Sequence, residues 1–232
     1  MSTQITCISS MATRQVLAEL ATAYERRSGQ HVAIESVGGV AAAQRVEDSE
    51  PFDIVVLASD AIERLAAAGR VDPDSRVDLA RSEVAIAVAA GASRPDIGTE
   101  AAVRDAVLAA RSIGYSTGPS GAHLTRLFER WGIAATIAPR IVQAPPGVPV
   151  GTLIARGEVA LGFQQTSELM HLPGIDVIGV LPPEIQVTTV FSAAICTICA
   201  ASTQREAARA LLTFLASPGA DSAKRAHGME PA

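Results

Sequence analysis

Three short stretches place hydroxyls and bare backbone where a strand hands over to a helix. "SSMAT" (9–13) sets Ser9, Ser10 and Thr13 around Met11 and Ala12. "SVGGV" (36–40) carries Gly38 and Gly39 side by side, and "GPSGAH" (118–123) brackets Ser120 with glycines before Ala122 and His123. The first turn of a helix has N–H groups without intrahelical partners, and its dipole end favours negative charge. Together the three turns describe an anion cradle built from Ser9, Ser10, Met11, Ala12, Thr13, Gly38, Gly39, Ser120, Gly121 and Ala122. Each also has a plainer account. Ser and Thr are preferred helix caps, paired glycines serve tight turns, and a first-turn histidine can simply be solvated. "FQQTS" (163–167) ends a strand-like run with Gln164 and Gln165, whose amides suit the orientation of polar oxygens in a pocket. His123, the one histidine in such a turn, could donate to an anion or act as acid or base.

Several other chemistries are excluded or disfavoured. G-x-G-x-x-G is absent, and "GPSGAH" lacks the Lys-Ser/Thr of a P-loop, so nucleotide is not expected. No Ser/His/Asp order and no metal-ligand spacing stands out, so no metal is expected. The net charge is −5, from 24 acidic and 19 basic residues without long runs, which argues against nucleic acid. Aromatics are only 3% of the 232 residues, too few for base stacking. With 48% hydrophobic residues the chain can fill a core, yet no apolar run approaches a membrane span, so no membrane insertion is expected. Cys7, Cys196 and Cys199 cannot form a complete disulfide set and suit a reducing compartment. "CTIC" has redox spacing, but it lies in an apolar run where a strand would turn Cys196 and Cys199 to opposite faces; buried structural thiols are the favoured reading. "MSTQITCISS" enters a strand with neither a basic nor an apolar leader region. The chain as sequenced is therefore expected in the cytoplasm, and in the periplasm only if its signal is missing from the sequence.

The elements that must position these turns alternate. "QITCISS" reads as a strand, with a helix from about Ala12 to Arg27, where Leu17, Leu20, Ala21 and Tyr24 recur at helical spacing. "HVAIESV" is a strand, and a helix from about Ala41 to Glu47 follows the glycine pair. "FDIVVLAS" reads as a strand buried on both faces, with Asp60 as the cap of the helix after it. Residues 82–91, "SIGYS", "APRIVQA", "VALGFQQ", "IDVIGVL" and "TVFSAAICTIC" read as further strands. Helices lie near 99–110, over "AHLTRLFERWG", "GTLIARG" and "SELMHL", and over "QREAARALLTFLAS". Strand–helix alternation means parallel β–α units. The expected class is α/β with two Rossmann-like lobes. Lobe one takes residues 1–80 plus 195–232 and lobe two takes 81–194, with a ligand cleft between them where strand ends and helix N-termini meet.

The chain resembles the molybdate-binding type of periplasmic solute-binding proteins over nearly all of its length. "ITCISSMATRQVLAELATAYERRSG" is similar to that family's opening strand and helix. "DIVVLASD", ending at Ser59 and Asp60, resembles its D-[IL]-x-[IV]-S-A-D segment. "GEVALGFQQTSE" resembles its G-x-[AV]-x-[IL]-G-[IF]-[VG]-Y-x-[ST]-[DE] segment. The resemblance implies hinge strands, the type 2 periplasmic-binding fold and a small anionic ligand, with Ser59 added to the candidate site. In the family two serine hydroxyls, backbone amides and a tyrosine hydroxyl hold an oxyanion. Those positions fall at Ala12, at Gly38 or Gly39, at Ser120 and at Gln165 here, so a standard molybdate site is not expected and a small organic carboxylate is favoured. The family also includes aconitate isomerase. This gives the alternative to a binding protein: a cofactor-independent isomerase of a di- or tricarboxylate, with His123 or Glu35 as acid or base. The resemblance does not specify a transporter or regulatory partner.

Overall fold

A computed structural model describes residues 4–145, 147–199 and 202–232. The first three residues, part of the leader reading, and Pro146 lie outside them. The chain divides into two compact units, Met1–Arg81 with Val190–Ala232 and Ser82–Thr189.

Unit one opens with β1 (Ile5–Ser10), a 3₁₀ turn (Met11–Thr13) and α1 (Arg14–Ser28). β2 (Val32–Val37), α2 (Gly39–Glu47), β3 (Ile54–Ala58) and α3 (Ser59–Ala67) follow. β1 lies between β2 and β3 and is parallel to both. The five residues of β3 are all buried, as the apolar run "IVVLA" demands. Val16, Leu17 and Leu20 of α1 join one core cluster, while Ala42 and Val46 of α2 and Ile62 and Leu65 of α3 join another. So α1 covers one face of this sheet, and α2 and α3 cover the other.

The chain enters unit two along β4 (Val77–Ala89), then forms α4 (Glu100–Ala109), β5 (Ile113–Tyr115), α5 (Pro119–Arg130), α6 (Ala134–Ile137) and β6 (Ile141–Gln143). α7 (Val150–Ala155), β7 (Leu161–Gln165), α8 (Thr166–Leu169) and β8 (Ile175–Val180) complete it. β5 is parallel to β6 on one side and β7 on the other. β4 runs antiparallel to β7 and β8. Leu124, Leu127 and Phe128 of α5 pack in one cluster, and Val150, Leu153 and Ile154 of α7 in another, again on opposite faces.

β9 (Thr188–Ile195) leads back to unit one, where it pairs antiparallel with β3. α9 (Ser202–Leu215), α10 (Asp221–Ala226) and β10 (Glu230–Pro231) end the chain. The sequence reading stopped at α9, because α10 is too short to show a periodic apolar face. α10 carries Lys224, the chain's single lysine, only 3% exposed with its Nζ 3.3 Å from Asp221 Oδ1. Together with Val16, Leu17, Leu20, Leu79, Leu215 and Met229, Lys224 lines a small void.

Three local readings change. α3 starts at Ser59 with Ala58 as its N-cap, and Asp60 pairs with Arg64 four residues on instead of capping. α2 starts at Gly39 and α5 at Pro119, so residues assigned to loops belong to first turns. β9 ends at Ile195, and a turn from the Cys199 amide to the Cys196 carbonyl separates the thiols. All three cysteines are free and buried. Burial pushes the thiol of Cys196 up to about 12 and that of Cys199 to about 11, which suppresses the reactive thiolate.

Candidate functional site

In each unit the direction of the strand–helix–strand connections reverses beside the central strand. β1–α1–β2 crosses one face of its sheet and β2–α2–β3 the other, and β5–α5–β6 and β6–α7–β7 repeat the arrangement. Such reversals open a crevice outside the carboxyl ends of the strands, flanked by helix N-termini. In unit one it lies beyond Ser10 and Ala58; in unit two, beyond Tyr115 and Gln165.

Unit one brings Ser10, Gly38, Gly39 and Ser59 to that edge. Ser10 precedes the 3₁₀ turn at an N-cap position, yet its side chain makes no capping bond. It is 7% exposed, and its Oγ finds no hydrogen-bond partner within the protein. A buried hydroxyl left in this way costs about 1–3 kcal/mol unless something else satisfies it. Gly39 starts α2 beside it. The first bond of that helix runs from the Ala42 amide to the Gly38 carbonyl, so the N–H groups of Gly39, Val40 and Ala41 have no intrahelical acceptor. The tight-turn account of the glycines fails here. Gly38 has φ −56° and ψ 137°, open to any residue. A Cβ on Gly39 would meet only Ser10 Cβ at 3.7 Å and Leu57 Cδ2 at 4.0 Å, ordinary contacts. At Gly39 neither backbone nor packing demands a glycine, and at Gly38 the backbone does not.

Other residues of the first stretch are occupied. Ser9 faces the α1 side, with its Oγ 2.8 Å from Ser36 Oγ, a partner the sequence reading missed. Thr13 Oγ1 donates to the Ser10 carbonyl at 3.1 Å. Met11 is partly exposed, and Ala12 is buried in the α1 cluster. Glu35 projects from β2 to solvent and receives Arg45 Nη2 at 3.0 Å; Arg45 holds its carboxyl below the usual range.

Unit two gives a sharper correction. Because α5 starts at Pro119, the Ala122 amide donates to the Gly118 carbonyl at 3.0 Å and is not available to a ligand. Pro119 has no N–H, which leaves those of Ser120 and Gly121 as the first-turn donors. Gly121 is bare for an internal reason. A Cβ there would lie 1.7 Å from the Ser116 carbonyl oxygen. Ser120 is buried, its Oγ 3.5 Å from Ser116 Oγ, a long contact. His123 Nε2 lies 2.8 Å from the Ile185 carbonyl, so the ring ties α5 to the segment before β9.

The two glutamines diverge, as adjacent strand residues must. Gln165 shares the face of Phe163 and of the α5 cluster. Its Nε2 donates to Thr189 Oγ1 at 2.8 Å, and its Oε1, in a residue 1% exposed, has no partner. Gln164 points to the α7 side, where its Oε1 accepts from the Val150 amide at 2.7 Å. Its Nε2 donates to Glu168 Oε1 at 2.7 Å. Burial pushes the Glu168 carboxyl up to about 7, with the Gln164 bond opposing. Sequence reasoning passed over Glu168, although the four-residue spacing of Gln164 and Glu168 in "FQQTSE" was its signal. Ser82 and Ser167 add two more buried hydroxyls without a protein partner. Among the described residues no three His, Cys, Asp or Glu side chains gather to hold a metal.

Within unit one, the orphaned Ser10 hydroxyl beside the free first-turn amides of α2 suits an anion with several oxygens. The family model for bacterial extracellular solute-binding proteins matches residues 5–230. The chain belongs to that family. Among curated proteins, aconitate isomerase from a Pseudomonas species is 39% identical over 235 residues, covering 99% of this chain and 88% of that one. Among solved structures, the periplasmic molybdate-binding protein of Azotobacter vinelandii matches with a TM-score of 0.80 at 19% identity, over 97% of this chain and 98% of that one. The sulfate-binding protein SubI of Mycobacterium tuberculosis matches with a TM-score of 0.77 at 18% identity, over 99% and 87%. At such identities these structures fix the fold, which is the α/β type 2 periplasmic-binding architecture. No helix among the described residues of this solute-binding family member is long and apolar enough to cross a membrane.

Proposed function

We propose that the chain binds a small unsaturated di- or tricarboxylate and shifts its double bond by moving a proton between carbons. The observation that carries the binding is the Ser10–Gly39 corner. A buried hydroxyl without a partner lies beside three free helix N–H groups, next to Gly39, a glycine that neither backbone nor packing requires. A carboxylate satisfies all of these donors at once. In unit two, Ser120, Gly121 and Gln165 offer a second set of polar groups at the equivalent strand edge. An organic acid fits better than a tetrahedral oxyanion, because Ala12, Gly38 or Gly39, and Gln165 stand where the family resemblance places two serines and a tyrosine. The whole-length likeness to aconitate isomerase supports turnover rather than binding alone.

The test is a thermal-shift panel with molybdate, tungstate, sulfate, citrate and both aconitate isomers, followed by a cis–trans aconitate assay without added cofactor. A ligand at about 100 times its Kd adds about 2.7 kcal/mol of stability. Stabilisation by a carboxylate and interconversion of the isomers are expected. A second reading, delivery of an anion to a transporter, is favoured by the binding-protein structural relatives. Stabilisation by molybdate or tungstate alone, with no turnover, replaces the first reading by the second. The free buried thiols favour a reducing, cytoplasmic setting; recovery of the protein in the periplasmic fraction of its native cell overturns that placement.

A further inference from the structure

β7 ends at Gln165 and α8 begins on the next residue, so Gln164 and Glu168 meet four positions apart. The orientation of the Gln164 amide is not arbitrary. The Val150 N–H requires an acceptor, which assigns Oε1 to it and leaves Nε2 to donate to Glu168. The backbone at the start of α7 thereby fixes the carboxyl of Glu168 through one rigid amide. On the opposite face of β7, Gln165, 1% exposed, keeps an unpartnered Oε1, and Ser167, 4% exposed and next to Glu168 in the chain, keeps an unpartnered hydroxyl. Gln165 ends β7 and Ser167 and Glu168 follow it directly, at the strand edge where the crevice of unit two opens.

We propose that Glu168 is the acid/base group that carries the proton in the double-bond shift, an assignment that rests on the isomerase reading above. The ionised carboxylate takes a proton from the CH₂ beside the substrate's C=C bond. The electron pair of that C–H bond forms a new C=C bond to the central carbon, and the former double-bond pair passes into the conjugated carboxylate. The same carboxyl then returns its proton to the far carbon, whose C–H bond forms as the charge leaves the carboxylate. Atoms and charge balance with no oxidant or co-reactant. A group that must both take and return a proton works best when neither form dominates at working pH, and burial places Glu168 in that range. Glu35 and His123 are less suited. Arg45 holds Glu35 ionised at the surface, and the Ile185 carbonyl occupies His123 Nε2.

The experiment compares the wild-type protein with Glu168→Gln, whose side-chain oxygen can still accept from Gln164. Three readouts are taken: cis–trans aconitate conversion, deuterium uptake into the substrate from D₂O, and stabilisation by the substrate. The expected result is a loss of roughly 100-fold or more in conversion and exchange, the scale of general acid–base catalysis, with stabilisation by substrate kept. Conversion within about threefold of wild type overturns the assignment while leaving the isomerase reading intact. Loss of conversion together with loss of substrate stabilisation also overturns it, because Glu168 would then be holding the ligand or the fold. No conversion by the wild-type protein removes the isomerase reading and the assignment with it.

Discussion

At the scale of single residues, stability and binding pull apart at Ser10. Its hydroxyl is buried without a partner in the protein, so Ser10→Ala removes an unsatisfied group and should leave the melting temperature equal or slightly higher. The same change should weaken carboxylate binding by about 1–3 kcal/mol, roughly 5- to 150-fold in Kd. Calorimetric titration beside a melting curve checks both, and an unchanged Kd removes Ser10 from the site. Glu168 makes a second prediction. Its folded-state pKa lies above the ordinary glutamate value, so the native state holds a proton more firmly than the unfolded chain between about pH 4.5 and 7. The stability this group contributes is complete below that window and is lost as pH rises through it, at about 1.4 kcal/mol per unit of displacement. Denaturant titrations at several pH values should show wild type losing stability relative to Glu168→Gln as pH increases. The opposite slope contradicts a raised pKa.

At the scale of elements, the two glycine-bearing turns are predicted to behave differently. Gly39→Val puts a side chain where only ordinary contacts wait, so the fold should persist while the approach to the α2 amides is blocked. Gly121→Ala drives a methyl into the Ser116 carbonyl and should cost about 1–3 kcal/mol as the turn before α5 shifts. Melting temperatures and ligand titrations of both variants separate the two effects; a stable Gly121→Ala would mean that this turn yields easily. The sequence alone made these turns visible but could not tell their glycines apart, because the Ser116 carbonyl reaches Gly121 only once α5 has folded from Pro119. The same limit applies to "FQQ". Its strand character was legible, and period-two alternation implies that the amides diverge, yet only the packing of α7 shows that Gln164 turns to Val150 and Glu168. Burial, which sets the titration of Glu168, has no local sequence signature at all.

At the scale of the molecule, strand–helix alternation was enough to read the α/β class, since parallel units follow from that order alone. The C-terminal return was only half read, because α10 and β10 are too short to advertise a face. The division of the chain carries its own prediction. Unit two is a continuous stretch, Ser82–Thr189, with its own core clusters, whereas unit one needs both Met1–Arg81 and Val190–Ala232. Residues 82–189 expressed alone should show cooperative thermal unfolding by circular dichroism, and residues 1–81 alone should not. A non-cooperative 82–189 would mean that its clusters depend on unit one.

The seating of Lys224 has a practical side. With no other lysine in the chain and this one enclosed between α1 and α10, acylating reagents have a single side-chain amine to find, and the folded state hides it. Apart from the α-amino group, the protein is therefore silent to amine labelling until its C-terminal tie lifts. The rate at which mass is added at Lys224 becomes a clock for that one opening event, read at a single position without any mutation.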